Sequence, residues 1–161
     1  MPSFSEHISQ AKRNLKFLQA SNINSREFWD WQVTINFYVA VHLINAHLAQ
    51  KANLHYRKHE EVNTAISPYN ISPCQLPEDI YLSYMKLQGL ARRARYLVND
   101  DHRNAHTGAH FTYDRHFMKS IKHLDNVLKH FAVSYGSEFD VLQIDCIRLN
   151  DNDLAYFKKR T

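Results

Sequence analysis

Arginine and histidine recur together in the polar segment from Tyr96 to Thr112, which reads YLVNDDHRNAHTGAHFT. Six residues separate Arg95 from His102, and six separate Arg103 from His110. An arginine can stabilise charge on a phosphate, and a histidine can take the proton of a 2′-hydroxyl, so such a pair can cleave RNA without a metal ion. The spacing therefore makes both pairs candidate catalytic groups.

The same segment raises the question of a metal site. His102, His106 and His110 stand at intervals of four residues, and Asp100 and Asp101 precede them. On a helix the three imidazoles would share one face, where they could hold Zn²⁺ or another transition metal. The polar composition with a glycine is typical of a loop. We therefore expect neither a metal ion nor a cofactor here.

Other basic and histidine residues flank the apolar parts of the chain. His42 lies on an apolar helix face, either as a hydrogen-bonded core histidine or at the floor of a cleft. Arg57 and His59 lie in a basic turn that is either solvated or faces a phosphate. Arg95 and Tyr96 end a helix, where the helix dipole alone would favour a cation. These five are the candidate substrate-binding residues.

Apolar residues at steps of three and four predict an all-α fold with four main helices and one short helix. Capping-box patterns stand at Ser3 with Glu6 and at Asn24 with Glu27, ahead of the first two helices. The predicted ranges are about 4–20, 26–51, 58–66 (the short helix), 77–95 and 113–134.

The second predicted helix is apolar on nearly every face. Phe28, Trp31, Ile35, Tyr38 and His42 form one stripe, and further apolar residues lie beside it. Such a helix lies at the centre of a bundle or in a subunit interface. Its aromatic side chains are more than one small bundle readily hides, so we expect a homodimer.

A chain of 161 residues favours one core, which we assign to a bundle over residues 1–136. Residues 137–161 are predicted to form an extension packed on that bundle. Within it, Val141–Leu149 could be a strand or a poor helix, and Asp151 or Asp153 could cap a short final helix.

Composition limits the partners, the cellular compartment and the nucleotide-binding motifs that we expect. The net charge of +4 allows contact with phosphate without requiring it. Cys74 and Cys146 stand far apart, as expected in a reducing cytoplasm. No apolar run is long enough to cross a membrane, so we expect no membrane partner. Three glycines leave no glycine-rich phosphate loop.

A longer pattern begins at the second helix. It comprises Trp31, Thr34, FYVAVHLINAHLA over Phe37–Ala49, the His59-Glu60-Glu61 turn, Tyr84, Leu87, and ARY over Ala94–Tyr96. This pattern resembles the HEPN superfamily of prokaryotic helical proteins. The similarity covers about 27–96, the fourth helix fits in position and length, and the part after Gly136 lies outside it.

The resemblance implies an up-and-down bundle of four to five helices that usually forms a homodimer. Many members are metal-independent endoribonucleases of toxin–antitoxin, abortive-infection or phage-defence systems. RNA and an antitoxin or nucleotidyltransferase-like protein are the partners it implies. The family motif is an arginine, a polar residue that is often asparagine, a few further residues and a histidine. Arg103, Asn104 and His110 match this motif, whereas Arg95 with His102 matches only its spacing.

Two alternatives stay open beside this motif. His42, His59 and Arg95 could face one cleft and form the site of this branch of the family. The protein could also be a non-catalytic dimeric module, whose basic segment binds RNA or a protein partner.

Overall fold

Helices account for most of residues 1–98 and 108–161, which are the residues that the computed structural model describes. In chain order the elements are α1 (Phe4–Asn24), α2 (Trp29–Ala52), α3 (His59–Ile66), α4 (Glu78–Tyr96), α5 (Asp114–Tyr135), β1 (Leu142–Ile144) and β2 (Phe157–Lys159). α2 packs against α1, α4 and α5, and α4 also packs against α5. The predicted all-α class is thereby confirmed.

Side-chain contacts show how the long helices run. Asn36 of α2 donates to Ser120 of α5 at 2.7 Å, and Nδ1 of His47 lies 2.6 Å from the hydroxyl of Tyr135 further along both helices. α2 and α5 therefore run in the same direction. α1 runs opposite to α2, and α4 runs opposite to α5. The four long helices therefore alternate in direction along the chain, as in an up-and-down bundle.

Local sequence explains where several helices begin and end. Ser3 and Glu6 form the predicted capping box, since the Ser3 hydroxyl accepts from the N–H of Glu6 and Glu6 accepts from the N–H of Ser3. The second predicted capping box is wrong, because α1 continues through Asn24, whose amide donates to the Ala20 carbonyl at 2.8 Å. Gly136, at φ +62°, ends α5 in the left-handed conformation that glycine adopts without strain.

The face of α2 that packs in the core is not the aromatic stripe. Val33, Phe37 and Ile44 are fully buried. By contrast, Trp31 is 64% exposed and Tyr38 is 40% exposed. The predicted central position of α2 is observed, but part of its aromatic surface faces solvent in the single chain.

The last residues form a parallel strand pair in place of the predicted final helix. Leu142 of β1 stands opposite Phe157 of β2, and both side chains are buried. The fully buried carboxylate of Asp125, on α5, accepts from the N–H groups of Ala155 and Tyr156 at 3.0 and 2.8 Å. These long-range hydrogen bonds hold the chain extended, so a local capping signal did not decide the structure.

Candidate functional site

The C-terminal end of α4 meets the chain that leads into α5. Leu97 ends α4 in the left-handed conformation at φ +56°, which is uncommon for a residue other than glycine. Its carbonyl accepts from the N–H of His110 at 2.9 Å. The guanidinium of Arg93 donates twice to the carbonyl of Phe111, at 3.1 and 3.0 Å. The backbone of His110 is thereby held against Leu97, which follows Arg95 by two residues in the chain.

A polar cleft of about 500 Å³ opens between α3 and α4. Residues one turn apart on each helix line it, because side chains at i and i+4 share a helix face. On α3 these are His59 and Asn63, and on α4 they are Gln88, Arg92 and Tyr96. Arg95, Glu60 and Tyr81 complete most of the lining.

The electrostatics of the cleft favour an anion. Two guanidinium groups, of Arg92 and Arg95, face the single carboxylate of Glu60 in the lining. Burial, with a smaller effect from the charge of Arg95, lowers the pKa of His59, so this imidazole is neutral at pH 7. A neutral imidazole offers one hydrogen-bond donor and one acceptor to a ligand.

Two contacts shape the cleft. The guanidinium carbon of Arg95 lies 5.2 Å from the ring centre of Tyr96, whose side chain is 64% exposed. Across the cleft, Nδ2 of Asn63 donates to Oε1 of Gln88 at 2.9 Å. The Oδ1 atom of Asn63 is buried and has no hydrogen-bond partner in the described part of the chain. This acceptor is therefore available to a donor from a ligand or from water.

No protein-family model, no curated protein and no solved structure matches this chain.

The predicted site residues lie in different parts of the bundle. His59 and Arg95, two of the three residues of the alternative site, line one cleft together with Tyr96. Arg57 is exposed in the connection between α2 and α3 and is not part of that lining. Of the predicted catalytic residues, Arg103, Asn104 and His102 lie outside the described residues, as does His106, whereas His110 is described and half-buried.

His42 belongs to a different cluster. Its Nδ1 lies 3.2 Å from Nδ1 of His7 on α1, and the ring of His7 stacks on His55 at 5.4 Å. The expectation that His42 lies at the floor of the same cleft as Arg95 is not met by the lining of that cleft. His42 instead resembles the hydrogen-bonded core histidine that was the other interpretation.

Several residues at this end of the bundle are not apparent as site residues from the sequence alone. Asn63 and Gln88 carry amides, which are too common in helices to single out without knowing that α3 and α4 face each other. Arg92 stands one turn before the end of α4, where the helix dipole alone is a sufficient reason for a cation. His116 accepts from the N–H of Tyr113 at 3.0 Å at the start of α5, where periodicity gave no sign of such a contact.

Residues 1–98 and 108–161 also bear on metal binding and on membrane crossing. No group of three or more histidine, cysteine or acidic side chains in these ranges could hold a metal ion. In the same ranges no helix combines the length and the hydropathy that crossing a membrane requires.

Proposed function

We propose that this protein is HEPN-like and that it binds and cleaves RNA as a metal-independent endoribonuclease at the C-terminal end of α4. The observation that carries the proposal is the hydrogen bond from the N–H of His110 to the carbonyl of Leu97. It brings a histidine beside a helix end that bears Arg93 and Arg95. A pairing of these two groups is sufficient chemistry for RNA cleavage without a metal ion.

Each group has a role in the proposed reaction. The imidazole of His110 takes the proton of a ribose 2′-hydroxyl, and the resulting oxygen attacks the adjacent phosphorus. The bond from phosphorus to the 5′-oxygen breaks, and that oxygen takes up a proton from water or from the protonated imidazole, so the products are a 2′,3′-cyclic phosphate and a 5′-hydroxyl. Arg95 or Arg103 stabilises the charge that develops on the phosphate oxygens. The net charge of +4 favours approach of the polyanion.

The first prediction concerns cleavage of single-stranded RNA in the presence of EDTA. His110→Ala is expected to lower the rate by about 100-fold or more, because general acid–base catalysis contributes that much. Arg95→Ala and Arg103→Ala identify the arginine that acts, since loss of one charge-stabilising donor costs about 100-fold or more. Denaturing gel electrophoresis of end-labelled RNA measures the rates.

Matched controls are available in the same chain. Arg13→Ala removes an exposed arginine on α1, and His55→Ala removes an exposed histidine between α2 and α3. Both controls should cleave at the wild-type rate. Equal cleavage by wild type, His110→Ala and both arginine variants would overturn the catalytic assignment, as would complete loss of wild-type cleavage in EDTA.

A second candidate is a non-catalytic dimeric module that binds RNA or a protein partner. The observation in its favour is the aromatic surface of Phe28, Trp31 and Tyr38, which are 52%, 64% and 40% exposed. Exposed aromatic side chains on the central helix of a bundle are typical of an interface between copies. Salt-sensitive RNA binding without cleavage in EDTA would support this candidate over the enzyme.

The second prediction is that the protein is a homodimer in solution through this aromatic surface. Light scattering should give about twice the chain mass of 19.0 kDa at micromolar concentration. Trp31→Lys should weaken the dimer by about 30-fold or more, because a central aromatic side chain contributes about 2 kcal/mol or more to an interface.

Phe17→Lys on α1 is the matched control, since Phe17 is 61% exposed. It should leave the dimer intact. A wild-type mass of one chain at these concentrations, or equal weakening by both substitutions, would contradict the proposed interface.

The proposed cellular setting follows from the same resemblance. A cytoplasmic ribonuclease of this kind would act in a toxin–antitoxin or phage-defence system. An antitoxin or a nucleotidyltransferase-like protein would then restrain it. Copurification of such a partner that suppresses RNA cleavage is the result that supports this role.

A further inference from the structure

The cleft between α3 and α4 is lined by more kinds of functional group than cleavage of a phosphodiester requires. Its volume of about 500 Å³ falls within the range of about 300–1,000 Å³ that small-molecule sites occupy. The groups that line it differ in kind along its length. Guanidinium groups and an exposed aromatic ring stand at the end of α4, and a pair of amides lies two turns earlier.

Arg92 and Arg95 provide the part of the cleft that suits a phosphate. They stand three residues apart on α4, so both guanidinium groups reach the same side of the helix. A planar guanidinium can donate two parallel hydrogen bonds to phosphate oxygens. The neighbouring imidazole of His59 is neutral and adds a donor without adding charge.

Tyr96 provides a stacking surface. Its ring is 64% exposed, and the Arg95 guanidinium lies 5.2 Å from the ring centre. Nucleobases stack on exposed aromatic rings, and an adjacent arginine adds to the attraction. A nucleotide whose phosphate lies on Arg92 and Arg95 could therefore place its base against Tyr96.

The side-chain amides of Asn63 and Gln88 provide hydrogen-bonding groups that can recognise one edge of a nucleobase. Because Nδ2 of Asn63 donates to Oε1 of Gln88, the orientation of the Gln88 amide is fixed. Oε1 has a second lone pair, and Nε2 can donate. A glutamine that presents a donor beside an acceptor matches the N7 acceptor and the N6 amino donor of adenine. On the corresponding edge uracil has the O4 acceptor beside a C5–H group, so the amide can form only one hydrogen bond there.

We infer that the cleft is a binding site for an adenosine 5′-phosphate unit. Arg92 and Arg95 bind the phosphate, Tyr96 stacks on the adenine, and Gln88, held by Asn63, recognises its N6–N7 edge. This inference rests on the proposed RNA-binding function for its substrate class and adds base selectivity to it. The unit is either a nucleotide of single-stranded RNA or free adenosine monophosphate.

The experiment measures binding in the His110→Ala background, so that cleavage does not consume the probe. Fluorescence anisotropy compares a labelled oligouridylate with the same oligonucleotide carrying one adenosine at its centre. The adenosine should strengthen binding by about 10-fold, as expected from one recognised and stacked base. Competition with unlabelled adenosine monophosphate and uridine monophosphate forms the second arm.

Substitutions separate the roles of the side chains. Gln88→Ala should remove the preference for adenosine while leaving oligouridylate binding unchanged. Tyr96→Leu should weaken the binding of both probes. Tyr96→Phe should bind both probes as tightly as the parent protein does, because the ring alone stacks. Arg92→Gln should weaken both probes and reduce the salt dependence by about one phosphate contact. Arg13→Gln on α1 is the control and should change neither value.

The outcomes assign the ligand or overturn the inference. Preference for the adenosine oligonucleotide that depends on Gln88 assigns the site to RNA. Gln88-dependent binding of adenosine monophosphate that is tighter than binding of the oligonucleotide assigns it to the free nucleotide. Equal binding of both oligonucleotides with no selectivity between monophosphates, or a preference that survives Gln88→Ala, overturns it. Cleavage of RNA by the wild type, together with binding that shows no base preference, would overturn this inference and leave the proposed function intact. Binding with a base preference, but no cleavage by the wild type, would overturn the catalytic assignment and leave this inference intact.

Discussion

Replacing Asp125 by alanine is expected to destabilise the protein by about 3 kcal/mol, the usual cost of breaking a paired and buried carboxylate. Its side chain is fully buried, and its oxygens accept from the N–H groups of Ala155 and Tyr156. Oδ2 also lies 2.7 Å from Nζ of Lys129. Alanine leaves those backbone donors without their acceptor. Urea denaturation followed by circular dichroism measures the loss.

Variants at the same contact distinguish the hydrogen bonds from the ion pair. Lys129→Ala should cost less than about 1 kcal/mol, because the lysine side chain is 41% exposed and solvent screens its charge. Asp125→Asn keeps one acceptor oxygen and should fall between the two. If Asp125→Ala and Lys129→Ala destabilised the protein equally, the carboxylate would not be what holds the strand pair to α5.

The helices were predictable because their signals are local. The Ser3–Glu6 capping box and the three-and-four spacing of apolar residues place α1 from nearby residues alone. The aromatic stripe of α2 shows what local signals do not determine. Periodicity shows that Trp31 and Phe37 are both on apolar faces, but only the arrangement of α1, α4 and α5 decides that Phe37 is buried and Trp31 exposed.

The candidate site was predictable in part for the same reason. Arginine and histidine at the end of α4 are visible as residue types, and His59 and Arg95 were two of the three residues of the alternative site, the third of which, His42, lies elsewhere. The contribution of Gln88 was not visible, because it depends on its 2.9 Å contact with Asn63, 25 residues earlier in the chain. Likewise, β2 depends on the contact of residue 125 with residues 155 and 156, which no local pattern announces.

Buried histidines make the stability of this fold dependent on pH. His7 is 4% exposed, and burial together with the neighbouring His42 and His55 lowers its pKa to about 4, against a small opposing effect of Glu6. The 3.2 Å contact between Nδ1 of His7 and Nδ1 of His42 requires one of these nitrogens to be unprotonated. Protonation of both rings would set two N–H groups against each other.

His116 is a second such group. It is 7% exposed, and its Nδ1 accepts from the N–H of Tyr113 at 3.0 Å, which only an unprotonated nitrogen can do. Burial, with smaller effects from the charges of Arg93, Arg115 and Lys119, lowers its pKa to about 4. Protonation would remove the hydrogen bond that begins α5 and would place a positive charge among three others.

Acidification from pH 7 to pH 5 is therefore expected to cost about 2 kcal/mol of unfolding free energy for each of His7 and His116. The unfolding free energy falls on acidification because the pKa values are lowered in the folded protein. The unfolded chain takes up these protons near pH 6.5, whereas the folded chain resists until about pH 4. The stabilisation is complete above pH 6.5, falls as the pH drops towards 4, and changes little below that. Urea denaturation at half-unit pH intervals measures it.

Single substitutions assign the effect to these imidazoles. His7→Phe keeps an aromatic ring against His55 but cannot take up a proton, so it should flatten the pH dependence by about 2 kcal/mol between pH 7 and 5. His116→Gln should do the same to a similar extent, since its amide oxygen can still accept from the N–H of Tyr113. Phe17→Leu on α1 is the control, because this exposed side chain has no titratable group, and it should leave the pH dependence unchanged. A stability that stays constant from pH 7 to 5 in the wild type would show that the fold does not hold these two rings neutral, and the contacts described for them would have to be different in solution.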